Sequence, residues 1–214
     1  SLGGMRSAER VYAFDISWSR LTHGRVYLQG RAPDLARRTR LFVADTAAIP
    51  LPAGSMDLVL TAHALEPNRA QQDRLVAELL RVARGRLLLF EPGYEIASEE
   101  ARARMDRHGY VRDLDASIAR AGGRVISRIP FETSLNPLNP TQCWVIDAPK
   151  SPESEDGFTV PGADLPLVEA NGFLRSEEAG LSFPVLDGLP VLRPGHGIVS
   201  ASPGPGAAPG RHAR

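Results

Sequence analysis

The sequence predicts an α/β fold: a doubly wound, mostly parallel sheet with an antiparallel edge strand, plus a small β-rich C-terminal appendage. Three observations carry this expectation. Short apolar runs alternate with amphipathic stretches through the first 120 or so residues, the order that builds parallel sheets. One run, Arg86-Leu87-Leu88-Leu89-Phe90, is almost wholly apolar, as a strand buried on both faces must be. Beyond Ala148 the chain turns polar and proline-rich before short β-type runs resume.

The elements follow in order. Val11-Tyr12-Ala13-Phe14 is a strand stopped by Asp15, and Ser17 caps a helix over 17–28. Residues 40–44 form a second strand ending at Asp45, and residues 56–61 a third. Over 70–83, Leu75, Leu79 and Val82 recur at i, i+4 and i+7, which places them on one helix face. Gly85 ends that helix and the 86–90 strand follows. Two further helices cover 98–108 and 114–121, the second closed by Gly122-Gly123. Strands at 125–129 and 142–146 are joined by the loop 133–141, too short for a crossover helix, so they are expected to pair antiparallel at one edge. Residues 1–148 thus read as the main domain, 149–164 as a linker, 165–199 as a β-hairpin segment and 200–214 as a disordered tail. Asp187-Gly188 between apolar runs is the hairpin signal.

Composition narrows the function classes. Lys plus Arg equals Asp plus Glu at 25 each, so the formal net charge is zero. A protein that grips nucleic acid through its phosphates needs a basic excess or a strong local patch. Arg31, Arg37, Arg38 and Arg40 read better as a solvated loop-and-helix surface. Cys143 is the single cysteine, which excludes an internal disulfide and a cysteine zinc site and fits a reducing, cytoplasmic setting. No metal site is expected. No apolar run approaches the roughly 20 residues of a membrane span, and no partner in a membrane is expected. Oligomeric state is left open.

In a doubly wound sheet, ligands sit at the carboxyl ends of the strands, where the strand order switches. The polar residues closing the early strands are therefore the informative ones. Asp15 can accept from two vicinal hydroxyls, as a ribose-holding acid does, or simply cap the following helix. Asp45 can accept from an exocyclic amine, or serve as a turn aspartate.

Three stretches taken in order resemble class I S-adenosylmethionine-dependent methyltransferases of the type 11 kind. Residues 11–17, Val-Tyr-Ala-Phe-Asp-Ile-Ser, are similar to the family's second, Rossmann-like strand with its ribose-binding acid. Residues 42–60 resemble its adenine-binding acid, the apolar Ile-Pro turn and the fourth strand entered through Ser-x-Asp. Residues 61–67, Thr-Ala-His-Ala-Leu-Glu-Pro, resemble the segment that often reads His-x-Leu-Glu-His, with Pro67 in place of the last histidine.

The resemblance implies S-adenosylmethionine as cofactor, with Asp15 on the ribose, Ile16 beside it, and Asp45 and Thr46 on the adenine edge. His63 and Glu66 stand at the mouth of the site, where they could orient or deprotonate an acceptor. The competing reading has Glu66 capping the next helix and His63 packed under it. Glu91 and Tyr94 follow the fifth strand of the family's pattern and are candidates for acceptor contacts, as is Glu95. The loop 136–140 either rims the same cleft or merely turns between edge strands. Methyl transfer needs alignment more than acid or base, so no catalytic signature is expected.

The family's Gly-x-Gly-x-Gly turn lies about 20 residues before the ribose-binding acid, and counting back from Asp15 runs off Ser1. Ser1-Leu2-Gly3-Gly4 reads as the end of that loop or the opening of the following helix, with no complete motif, so the sequence as it stands is expected to bind S-adenosylmethionine weakly or not at all. Residues 173–192, through Gly180-Leu181-Ser182-Phe183-Pro184, resemble the small zinc-ribbon-like activators of methyltransferases, without their cysteines.

The leading expectation is methyl transfer to a small-molecule acceptor, with RNA or protein acceptors open. The alternative is a non-catalytic, methyltransferase-like binding or scaffold protein. A nicotinamide enzyme is the third reading, and the 45–60 stretch speaks against it.

Overall fold

A computed structural model describes residues 8–131, 136–151, 154 and 156–200. The sequence expectations for Ser1 to Gly4 and for the tail beyond residue 200 lie outside the described residues.

In chain order the first half runs β1 (Val11–Asp15), α1 (Trp18–Arg31), α2 (Pro33–Arg38), β2 (Thr39–Ala44), β3 (Met56–Ala62), α3 (Gln72–Val82) and β4 (Ala83–Pro92). There follow α4 (Glu99–Arg107), α5 (Leu114–Arg120), β5 (Arg124–Phe131), β6 (Thr141–Asp147) and β7 (Phe158–Thr159). The C-terminal part adds β8 (Pro166–Ala170), β9 (Phe173–Ser176), β10 (Leu181–Leu186), β11 (Leu189–Leu192) and β12 (Ile198–Val199). The chain divides into two compact units, residues 1–44 with 165–214, and residues 45–164.

In the first unit β1 and β2 pair in parallel, connected by α1 and α2. Ser17 caps α1 as its residue type predicts, its side chain accepting from the Arg20 N–H. The C-terminal strands do not form a separate appendage. β11 lies parallel to β2, with Val191 opposite Val43 and Leu192 opposite Ala44. Beyond it β10, β9 and β8 continue the sheet antiparallel, and β12 also pairs with β10. Burial is the reason: Leu189 and Val191 share one apolar cluster with Val43 of β2 and Leu21 of α1. The Asp187-Gly188 turn forms as predicted, with both residues at positive φ, 50° and 71°, the backbone a two-residue hairpin loop requires.

The second unit carries a four-stranded sheet in the order β3-β4-β6-β5. β3 and β4 are parallel, while β6 runs antiparallel to both β4 and β5. The predicted antiparallel pairing of the last two strands is present, but β6 is interior and β5 forms the edge. The strands expected in one sheet therefore fall into two, because among the described residues none pairs with both β1 and β3. α3 buries Leu75, Val76, Leu79 and Leu80 on its predicted face. Gly85 does not end that helix; it lies in β4, where a Cβ would stand 2.6 Å from the Asp57 carbonyl oxygen, so the close approach of β3 admits only glycine. Within the stretch expected as a linker, Phe158 and Val160 are buried and the Thr159 N–H donates to the Pro50 carbonyl.

Candidate active site

Three adjacent strands of the second unit bring polar residues to one end of the sheet: β3 and β4 by their carboxyl ends, β6 by its amino end. Just past β3, the His63 N–H donates to the Phe90 carbonyl at 2.8 Å and extends the ladder by one residue. The chain then turns sharply. His63 adopts φ 54°, in the left-handed region that costs a non-glycine residue of order 1 kcal/mol or more, though histidine enters it more readily than most. The turn aims the imidazole between two partners. Its Nδ1 lies 2.6 Å from Glu66 Oε2, and its Nε2 lies 3.0 Å from Thr141 Oγ1 on β6. The bonding pattern assigns the proton to Nδ1, donating to the carboxylate, and leaves Nε2 as the basic nitrogen. The His63 side chain as a whole remains 37% exposed.

Glu66 is the hub. Its carboxylate also accepts from Asn139 Nδ2 at 3.4 Å, and the Tyr110 hydroxyl acts on its ionisation. Burial opposes its ionisation, but hydrogen bonds from Tyr110, His63 and Asn139, together with the charge of His63, outweigh it. They hold the carboxyl below its ordinary value. Tyr110 in turn lies under the Arg104 guanidinium, 5.4 Å from its ring centroid.

Glu91, near the end of β4, is fully buried. The acceptor-facing role expected of it from sequence does not match this placement. Its carboxylate accepts from Thr61 Oγ1 at 2.9 Å, the Ala64 N–H at 3.0 Å and the Leu65 N–H at 3.2 Å. Burial pushes its pKa up to about 7, against the pull of those three donors and of His63.

Tyr94 sits in a neighbouring cluster. Its hydroxyl donates to Asp106 at 2.9 Å, and Arg69, Arg102 and Arg112 surround its ring at 5.8 to 6.0 Å. Glu95 accepts from the Asp113 N–H. Asp45 and Thr46 lie in the same unit, half-buried, in a turn moored to α3. Asp45 accepts from the Ala47 N–H at 2.9 Å, while Glu78 accepts from the Ile49 N–H and Arg81 donates to the carbonyls of Ile49 and Leu51. Asp15 and Ile16 belong to the first unit. Asp15 accepts from the Ser17 N–H at 2.8 Å and from Arg20 at 3.4 Å, and Ile16 is 51% exposed.

Sequence reasoning named His63 and Glu66 at the mouth of the site without stating their contact, and missed Thr141 and Tyr110. Asn139 carried a signal, as part of the loop read as a possible rim. Thr141 and Tyr110 carried none, since only pairing of β6 with β4 and the turn after α4 bring them near residue 63. Among the described residues no cluster could hold a metal ion.

Residues 2–89 match the family model described as a methyltransferase domain. No curated protein matches the chain. Among solved structures, a SAM-dependent methyltransferase from Methanosarcina mazei is 16% identical with a TM-score of 0.54, over 66% of this chain and 83% of that one. The [4+2]-cyclase SpnF is 15% identical with a TM-score of 0.54, over 70% of each chain. Magnesium protoporphyrin IX methyltransferase from Synechocystis PCC 6803, with bound SAH, is 12% identical with a TM-score of 0.52, over 65% of this chain and 64% of that one. Residues 2–89 therefore carry the sequence pattern of a methyltransferase domain, on the Rossmann-like α/β fold that SAM-dependent methyltransferases share.

Proposed function

We propose that this protein is an S-adenosylmethionine-dependent methyltransferase acting on a small molecule whose accepting atom must lose a proton. The match of residues 2–89 to a methyltransferase domain carries the reading. The acceptor chemistry of the two strand-end acids supports the cofactor. A carboxylate offers about four acceptor sites. Among the described residues Asp15 spends two on Ser17 and Arg20, and Asp45 one on Ala47. Both retain capacity for hydroxyl and amine donors, which a ribose and an adenine supply. Exposed Ile16 adds apolar surface beside Asp15.

S-adenosylmethionine, when bound, supplies a methyl group already activated on a sulfonium and departs as a neutral thioether. The protein's part is alignment and proton removal. His63 Nε2, exchanging the Thr141 hydroxyl for the acceptor's O–H or N–H, takes the proton as the new bond to the methyl carbon forms. Glu66 stabilises the resulting imidazolium through Nδ1. Zero net charge favours a small acceptor over a nucleic acid.

Calorimetric titration of the full-length protein with S-adenosylhomocysteine tests this. Weak but saturable heat is expected, with affinity falling about tenfold or more further in Asp15→Ala and in Asp45→Ala, as loss of a charged hydrogen bond predicts. Absence of both heat and thermal stabilisation would sink it. Likeness to a cyclase shows that this fold also hosts other chemistry. Binding without methyl transfer to any acceptor would favour a non-catalytic or non-methylating role.

A further inference from the structure

We infer that Glu91 is a positioning residue: it locks the turn after β3 so that the His63 imidazole is held between Glu66 and Thr141. The inference rests on the reading in which His63 removes the acceptor's proton, and it assigns Glu91 no contact with the acceptor.

The geometry is specific. Thr61 lies two residues before His63, and Ala64 and Leu65 follow it directly. All three donate to the one carboxylate, Thr61 and Ala64 to Oε1 and Leu65 to Oε2. His63 is itself pinned by its N–H to Phe90, the residue preceding Glu91. The chain is therefore gripped by two consecutive residues of β4, through the Thr61 hydroxyl before His63 and through backbone N–H groups at and after it. Without that grip the left-handed conformation at His63 has little to maintain it, because φ 54° is disfavoured for any residue with a Cβ. A relaxed turn would swing the imidazole away from Glu66.

The choice of residue points the same way. A buried carboxylate is costly where only turn closure is needed. It is suited to a place where several N–H and O–H donors must converge on one group, since an ionised carboxylate accepts on both oxygens and donates nothing. Leu65, fully buried, fixes the far side of the turn. Glu91 thus acts on His63 through the backbone, from behind the sheet end.

The test reads the imidazole directly. In the full-length protein at pH 8.5, nitrogen NMR of the His63 ring, assigned by its loss in His63→Gln, is expected to show Nδ1 protonated and Nε2 bare. Glu91→Gln keeps the size but turns one acceptor oxygen into an NH2 group that faces an N–H. The ring signals are expected to average over both tautomers there, while affinity for S-adenosylhomocysteine stays within about threefold of wild type. If Glu91→Gln does not fold, Glu91→Asp carries the same test, since a carboxylate withdrawn by one methylene cannot reach both turn N–H groups.

An unchanged His63 tautomer in a folded Glu91 variant overturns the inference, even where melting temperature drops, because a merely structural role lowers stability without moving the proton. Failure of the wild-type protein to bind S-adenosylhomocysteine is a different result. It removes the methyltransferase reading, and the tautomer comparison still decides whether Glu91 positions His63.

Discussion

Arg25 of α1 and Asp187 of the β10–β11 turn meet across 162 residues of sequence. One guanidinium nitrogen donates to the Asp187 backbone carbonyl at 2.7 Å and the other to its carboxylate at 2.5 Å. This two-pronged contact ties the C-terminal hairpin to the first helix, beside the cluster in which Leu189 and Val191 pack on Leu21 and Val43. The C-terminal strands are thus a structural part of the unit that contains Asp15.

Deleting residues 165–214 should therefore damage the β1–β2 pair. β2 would lose its parallel partner β11, and Val43 its cover. Hydrogen exchange is expected to accelerate at Leu41 to Ala44. Unchanged protection there would show that β2 stands without the C-terminal strands.

Leu189→Ala should destabilise the same unit by about 2–5 kcal/mol, the usual cost of emptying a leucine site in a closed core. Leu189 is 2% exposed. Arg25→Ala should cost about 1 kcal/mol or less, because Asp187 is 66% exposed and water competes for the contact. Denaturant unfolding of the two variants measures both, and equal losses would contradict the packing argument.

At Glu66 the sign of the pH effect is fixed by its partners. A carboxyl held below its ordinary value stabilises the fold at any pH above that of the unfolded chain's carboxyl, 4.5. That stabilisation fades as pH falls through the folded value. Wild type should therefore lose stability on acidification relative to Glu66→Gln, with thermal melts at pH 7 and pH 3 as the comparison.

Glu91 has the opposite sign. Its pKa rises from 4.5 to about 7 on folding, so between those values the folded state keeps a proton that the unfolded state has lost. Stability should decline as pH climbs from 4.5 to 7, by about 3 kcal/mol in all, and then level off. Glu91→Gln lacks that decline. Melting curves across this window that run parallel for the two proteins would refute the assignment.

His63→Gln should cut methyl transfer to a protic acceptor by about 10²–10⁴-fold, the usual worth of a general base. S-adenosylhomocysteine affinity should hardly change. Release of S-adenosylhomocysteine in the presence of acceptor is the measurement, and a rate within a factor of three of wild type would remove His63 from the chemistry.

The sequence alone determined whatever depends on neighbours a few residues apart. The period of Leu75, Leu79 and Val82, the Ser17 cap and the Asp187-Gly188 turn are local rules, and each element formed as those rules predict. His63 and Glu66 are three residues apart, so a single turn brings them together, although the sequence reading did not state that contact. Tertiary structure alone decided the remainder. β11 joining β2, Thr141 reaching His63, Tyr110 reaching Glu66 and the complete burial of Glu91 all depend on strand pairing and burial between distant segments. An apolar strand specifies that it must be covered, and a carboxylate that it must be solvated or hydrogen-bonded. Neither says by which residues, because that choice belongs to the free energy of the whole packed core rather than to any window of sequence.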